Sequence, residues 1–245
     1  MGQRSERQTI FGHLEELRKR LLICIFAFVI TTIGSFLFVE QLRAIIIRPA
    51  GELELVYITP PEALMADLRL AIMAGIVFAL PVLVYQLIAF LLPALEKEEK
   101  KILIPAVLAV VFFFSLGVLF AYYVVFPFTI RFFLAFATDS LQPLFTISAY
   151  LSFAVNFIFA FGIVFQMPLL FFILGYLGII SAEFLRKYRK YAVLVILLVA
   201  ALLTPPDVFS QMMLGIPLYG LYEVGIWAVA FSQGKRKRLP GRGLS

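Results

Sequence analysis

The 245-residue chain has one cysteine, one histidine and one tryptophan, and only 15% of its residues are charged. Each shortage excludes something. One cysteine forms no intrachain disulfide, so the fold has no covalent framework, and Cys24, inside an apolar run, reads as a small packing residue. One histidine, His13, excludes histidine-based catalysis along the rest of the chain. No Gly-x-Ser-x-Gly, His-Glu-x-x-His or phosphate-loop pattern occurs. No cysteine/histidine cluster suits a metal, so neither catalytic nor metal-binding residues are assigned, and no cofactor is expected. The charge content lies well below the roughly 25% of ordinary soluble domains.

Apolar length is what the chain has in excess. It is 62% hydrophobic, with a mean hydropathy of +1.00. Apolar runs extend over Leu21–Val39, Leu68–Leu92, Ile102–Phe126, Tyr150–Gly175, Tyr191–Leu203 and Val208–Phe231. Several reach the ~20 residues a helix needs to cross a bilayer. None alternates as the strands of a membrane barrel do. The expected fold is all-α: a single integral membrane domain over residues 1–245 with six spans. Residues 1–20 form an N-terminal amphipathic segment and residues 233–245 a basic tail.

Lysine and arginine set the orientation. Arg4, Arg7, Arg18, Lys19 and Arg20 precede the first span. Lys97, Lys100 and Lys101 follow the second, and Arg186, Lys187, Arg189 and Lys190 follow the fourth. The tail holds Lys235, Arg236, Lys237, Arg238 and Arg242. The opposite side has only Arg43, Arg48 and Arg131, with Arg69 just inside span two. The positive-inside rule places both termini in the cytoplasm. The net charge of +6 is then an orientation signal, and the run at 235–238 does not call for nucleic acid.

Two exported connectors, Glu40–Asp67 and Pro127–Ala149, carry apolar residues at helical spacing and read as helical caps: Leu42, Ile45 and Ile46 in one, Phe128, Phe132 and Phe136 in the other. Pro127 and Arg131 suggest a break after the third span, with an amphipathic helix lying at the surface beyond it. The third exported connector is only the turn Thr204–Asp207. Pro205 and Pro206 end the preceding helix, and Asp207 is placed to cap the next. Span five has 13 residues, ~20 Å of helix against ~30 Å of hydrocarbon. Spans five and six thus form a short pair, suited to a thinned membrane.

Polar groups inside spans are few and suggest function. Gln166 stands two residues before Pro168, where it could satisfy a carbonyl freed by the proline kink. Ser210 and Gln211 follow the turn. Glu223 interrupts the last span and must pair, protonate or reach water; counting a span-five length from Val208 places it near the cytoplasmic boundary, with Val224–Phe231 at or beyond the headgroups. On the cytoplasmic side acids sit among bases. Glu15 with Lys19, Glu16 with Arg20, and Glu96 with Lys100 are spaced as i,i+4 pairs, each worth ~0.2–0.5 kcal/mol. The alternative is a site for a cationic ligand, since carboxylates grip arginine through charge-assisted bonds.

Several segments together resemble the TatC family, the polytopic core of the twin-arginine protein translocase. They are "HLEELRKRLL" at 13–22, "PVLVYQLIAFLLPAL" at 81–95, "AYYVVFP" at 121–127, "SAYLSF" at 148–153, "FGIVFQMP" at 161–168 and "LLTPPDVFSQ" at 202–211. The resemblance implies a receptor in the bacterial cytoplasmic (inner) membrane for folded precursors with paired-arginine signal peptides. Its recognition acids would be Glu16 and Glu99; Glu15 is not assigned the role. Thr204 and Gln211 would hold the helix of a single-span partner, TatA or TatB. Export would be driven by the proton-motive force, and the complex would include membrane lipid and self-association. Where the family often has glutamate, Gln166 can hydrogen-bond but not ionise. A small-solute transporter is the rival class, but paired inverted halves with broken helices are not evident. A plastid origin is disfavoured, because no Ser/Arg-rich transit segment precedes the first span.

Overall fold

In the computed structural model, residues 2–51, 55–91, 103–135, 144–203 and 208–237 are described. Almost all of them are helical. The order is α1 (Gly2–Leu37), α2 (Val39–Ile47), β1 (Leu55–Val56), α3 (Pro60–Leu91), α4 (Leu103–Phe120), α5 (Phe126–Leu134), β2 (Phe145–Thr146), α6 (Ile147–Val164), α7 (Met167–Leu177), α8 (Ala182–Lys187), α9 (Arg189–Leu203) and α10 (Val208–Lys237). Among the described residues, five helical stretches are long and apolar enough to cross a membrane: Leu14–Leu37, Pro60–Phe90, Ile104–Leu134, Ile147–Leu177 and Gln211–Gln233. The fifth of the six spans read from the sequence corresponds to α9. Its 15 residues make ~22 Å of helix, short of the hydrocarbon thickness.

The chain divides into two compact units. In the first (Met1–Arg48, Glu54–Val111, Phe145–Ser152), α1 packs along α3. Ala71, Gly75 and Ala79 lie four apart on α3, and both alanines are buried. Small residues at this spacing let two backbones approach without a soluble protein's hydrophobic driving force. A Cβ on Gly75 would lie 2.8 Å from the Thr32 Cα, so only glycine fits. The Thr31 hydroxyl donates to the Gly75 carbonyl at 2.8 Å, adding a polar tie at the crossing.

At the α1–α3 connection of this unit, α2 buries no residue completely. It is fixed instead by Arg43, whose Nη1 donates to both Asp67 carboxylate oxygens at 3.1 and 2.8 Å. The Tyr150 hydroxyl donates to the Ile46 carbonyl at 3.1 Å. β1 and β2 pair in parallel, Leu55 with Phe145 and Val56 with Thr146. The apolar spacing of these connectors announces helices and carries no sign of this strand pair. Helix α3 begins at Pro60 rather than at Leu68, because its first two turns, outside the apolar run, are helical too.

The second unit (Pro49–Leu53, Phe112–Leu144, Phe153–Ser245) is built on aromatic stacking. Phe153, Phe157 and Phe161 of α6 and Phe165 just beyond it recur every four residues, with successive ring centroids 5.4, 5.1 and 6.4 Å apart. Phe126 joins Phe153 and Phe157 at 6.0 and 6.1 Å. A Cβ on Gly117 would lie 2.6 Å from the Phe161 carbonyl oxygen, so glycine admits this approach. The expected break at Pro127 is absent. A π-helical turn over Ala121–Val125 leads straight into α5, with the Phe126 N–H donating to the Ala121 carbonyl. The wide turn absorbs the ring and the missing donor, so the helix continues. The face that α5 buries is Phe126, Thr129 and Ile130; Phe128, expected as part of an apolar stripe, is 56% exposed.

Helix α7 ends at Gly178 in the left-handed conformation, φ 77°. Ser181 then caps α8 by accepting the Phe184 N–H at 3.1 Å. This stop and restart sets the position of Arg189 at the head of α9. Helix α10 packs along α9 and then along α7. Its second half is not loose: Ile226 and Val229 are buried, and Gly225 and Gly175 sit where a Cβ would meet Phe171 and Ser232.

Candidate functional site: two carboxylate–arginine constellations

Glu16 lies in the N-terminal half of α1, four residues before Arg20. Helical spacing brings them together, and Arg20 Nε and Nη2 both donate to Glu16 Oε1, at 2.9 and 2.6 Å. Arg20 Nη1 donates to Gln86 Oε1 of α3 at 3.1 Å. The local pair is thereby tied to the neighbouring helix. Arg20 is 23% exposed and Glu16 35%, so the carboxylate is partly open to its surroundings. Among the described residues no hydrogen bond engages Glu16 Oε2. One residue away, the Glu15–Lys19 pair spans 3.0 Å with its side chains 67% and 71% exposed. That is a solvated surface pair.

The second constellation lies in the other unit. Glu223 of α10 accepts from Arg189 Nη2 at 2.7 Å and from the Tyr219 hydroxyl at 2.9 Å. Of the three fates open to a carboxylate in an apolar run, this one pairs. Arg189 opens α9, so Glu223 stands level with the start of the short helix. The bond from Glu223 raises the Arg189 pKa above its ordinary value, and the guanidinium stays charged. Nearby, Tyr222 donates to the Leu185 carbonyl at 2.8 Å and Gln233 Nε2 to the Ile180 carbonyl at 3.2 Å. These bonds hold α10 against the α7–α9 connection.

Gln166 sits where α6 gives way to α7. Its backbone N–H donates to the Ile163 carbonyl at 3.0 Å in a tightened turn. That shift deprives the Gly162 carbonyl of its usual i+4 donor, and Gln166 Nε2 donates to it at 3.3 Å. Gln211 Nε2 donates to the Leu197 carbonyl of α9 at 2.9 Å, so its amide ties the long α10 to the short α9. Glu99, Thr204, Pro205, Pro206 and Asp207 lie outside the described residues. Three partners escape a reading of the sequence. Tyr219 is four residues from Glu223 and was legible as a helical neighbour. Gln86, a lone amide in span two, carried the signal of polarity within an apolar run. Arg189 was visible only as one cation among four.

Long apolar helices in number, with two carboxylates each engaged by an arginine, define the class as a polytopic helical membrane protein. A family-wide sequence profile described as "Sec-independent protein translocase protein (TatC)" matches residues 12–217. The "Sec-independent protein translocase protein TatC" of Carboxydothermus hydrogenoformans is 42% identical over 93% of this chain and 95% of its own length. That of Escherichia coli K12 is 35% identical over 94% and 91%. The solved "Crystal Structure of Twin Arginine Translocase Receptor- TatC" superposes with a TM-score of 0.77 at 36% identity, covering 90% of this chain and 99% of that one. The chain belongs to the TatC family. It is a membrane-spanning component of the twin-arginine translocase, and the small-solute transporter reading falls.

Proposed function

We infer that this subunit is the receptor and assembly core of its translocase, in the bacterial inner membrane with both termini in the cytoplasm. Glu16 and Glu99 bind the arginine pair of a signal peptide. Thr204 and Gln211 hold the helix of a single-span partner of the TatA or TatB kind, and the proton-motive force drives transport. Self-association and membrane lipid complete the working complex. The observation that carries the reading is Glu16: a carboxylate one-third exposed, already complementary to a guanidinium, on the segment that the basic residues assign to the cytoplasm. The solved relative's description as a receptor supports it.

For the partner site, Gln211 has committed one amide N–H to the Leu197 carbonyl within the chain. Its contribution to a partner is therefore its second N–H and its acceptor oxygen, each able to make an interhelical hydrogen bond of ~0.6–2 kcal/mol. Cysteines at 204 and 211 are expected to crosslink to a partner's span; crosslinks only within the chain would make these residues a self-contained turn. For the receptor, Glu16→Ala and Glu99→Ala are each expected to weaken binding of a twin-arginine peptide. Loss of a charged hydrogen-bond partner costs ~1.5–3 kcal/mol, or roughly 10–150-fold in affinity. Peptide crosslinking in membranes measures this, and unchanged affinity in both variants would falsify the assignment.

A further inference from the structure

We propose that Arg20 is an internal stand-in for the ligand's arginine, occupying Glu16 in the empty receptor and yielding it on binding. The inference rests on the receptor reading of Glu16. Two Arg20 donors converge on Glu16 Oε1, and Gln86 accepts a third from Nη1. An arginine grips a carboxylate best with two parallel bonds, one to each oxygen. With Oε1 taken, an arriving guanidinium reaches only Oε2 until Arg20 withdraws. Gln86 strengthens the hold, because it fixes a long side chain that is otherwise free to sample many rotamers. The neighbouring Glu15 has no such arrangement: its lysine is a single point charge and both side chains face water.

The stand-in has two consequences. It keeps a half-buried carboxylate paired when no precursor is present, so the empty site is not left with an unmatched charge. It also makes ligand binding an exchange of one arginine for another. The measured affinity is then the difference between the external contact and the internal one, and an incoming lysine, with no planar fork, is poorly equipped to compete. Arg20, though on the receptor, thereby helps set how stringently arginine is required.

The test titrates full-length protein in lipid nanodiscs with a fluorescent twin-arginine peptide, comparing wild type, R20Q, R20K, Q86L, E16Q and the E16Q/R20Q double variant. R20Q is expected to bind about three- to tenfold more tightly, R20K to gain less, and Q86L to gain least. In the E16Q background, R20Q should change nothing, because the contested carboxylate is gone. Weaker or unchanged binding by R20Q would overturn the proposal and make Arg20 a support for Glu16. An equal gain in the E16Q background would also overturn it, reducing Arg20 to general charge repulsion. Should R20Q fail to fold, R20K and Q86L carry the same comparison, and no gain in either sinks the idea. If E16Q itself binds like wild type, the receptor reading of Glu16 fails first. If E16Q loses affinity while R20Q gains none, only the stand-in fails.

Discussion

The two constellations share a chemistry and differ in wiring. Each joins a carboxylate, an arginine and a neutral polar side chain. In the first, Glu16 and Arg20 are neighbours on one helix, and the neutral Gln86 reaches across from another. In the second, the charges themselves come from different helices, and the neutral Tyr219 is the local neighbour. A pair on one helix opens without moving any backbone. A pair between helices holds the backbones together. The first arrangement is therefore exchangeable and suits recognition, whereas the second is a clamp that fixes the start of α9 against the middle of α10.

The sharpest comparison exchanges the two acids. E16Q is expected to lower twin-arginine peptide affinity by roughly 10–150-fold while leaving the thermal unfolding midpoint in detergent unchanged. E223Q is expected to do the reverse, with near-normal affinity and a midpoint lowered by about 2–4 °C. Equal effects of both substitutions on both readings would erase the distinction between exchangeable pair and clamp.

A second experiment breaks the clamp from its other side. R189Q is expected to lower the midpoint by a similar few degrees, and the charge-reversed E223R/R189E double variant to recover part of the loss. Coupling of this kind is what a double-mutant cycle measures. Additive losses would mean that the two residues act separately. Y219F removes one hydrogen bond at an exposed site and is expected to shift the midpoint by about 1 °C or less.

How much of this was legible in the sequence follows from range. Apolar length gave five of the spans and the shortness of the remaining one, since α9 has 15 residues where the apolar run has 13. The Glu16–Arg20 contact was legible because i,i+4 spacing is a property of one helix. The Glu223–Arg189 contact was not, because four cations precede span five and spacing alone cannot choose among them. The turn at Gly178 and the cap at Ser181 choose Arg189. The strand pair Leu55–Val56 with Phe145–Thr146 was invisible for a similar reason. Two residues are too few to show a period, and the partners are about ninety residues apart. The expected break at Pro127 failed because a proline forbids one hydrogen bond, and a π turn upstream accommodated the loss.

The smallest expected effect tests whether position or mere charge defines the receptor acid. Glu15 is adjacent to Glu16, carries the same charge and has its own i,i+4 partner in Lys19. Its side chain is two-thirds exposed and that partner is not tied to a second helix. E15Q removes a surface pair worth ~0.2–0.5 kcal/mol, so the unfolding midpoint should barely move. Peptide affinity should fall by less than about twofold, and the remaining difference should vanish at high salt, because exposed charges are screened within ~10 Å at 0.1 M. A loss as large as that of E16Q would mean that the peptide responds to the summed negative charge of the α1 segment. A loss confined to Glu16 would tie recognition to the one acid whose arginine is held by Gln86.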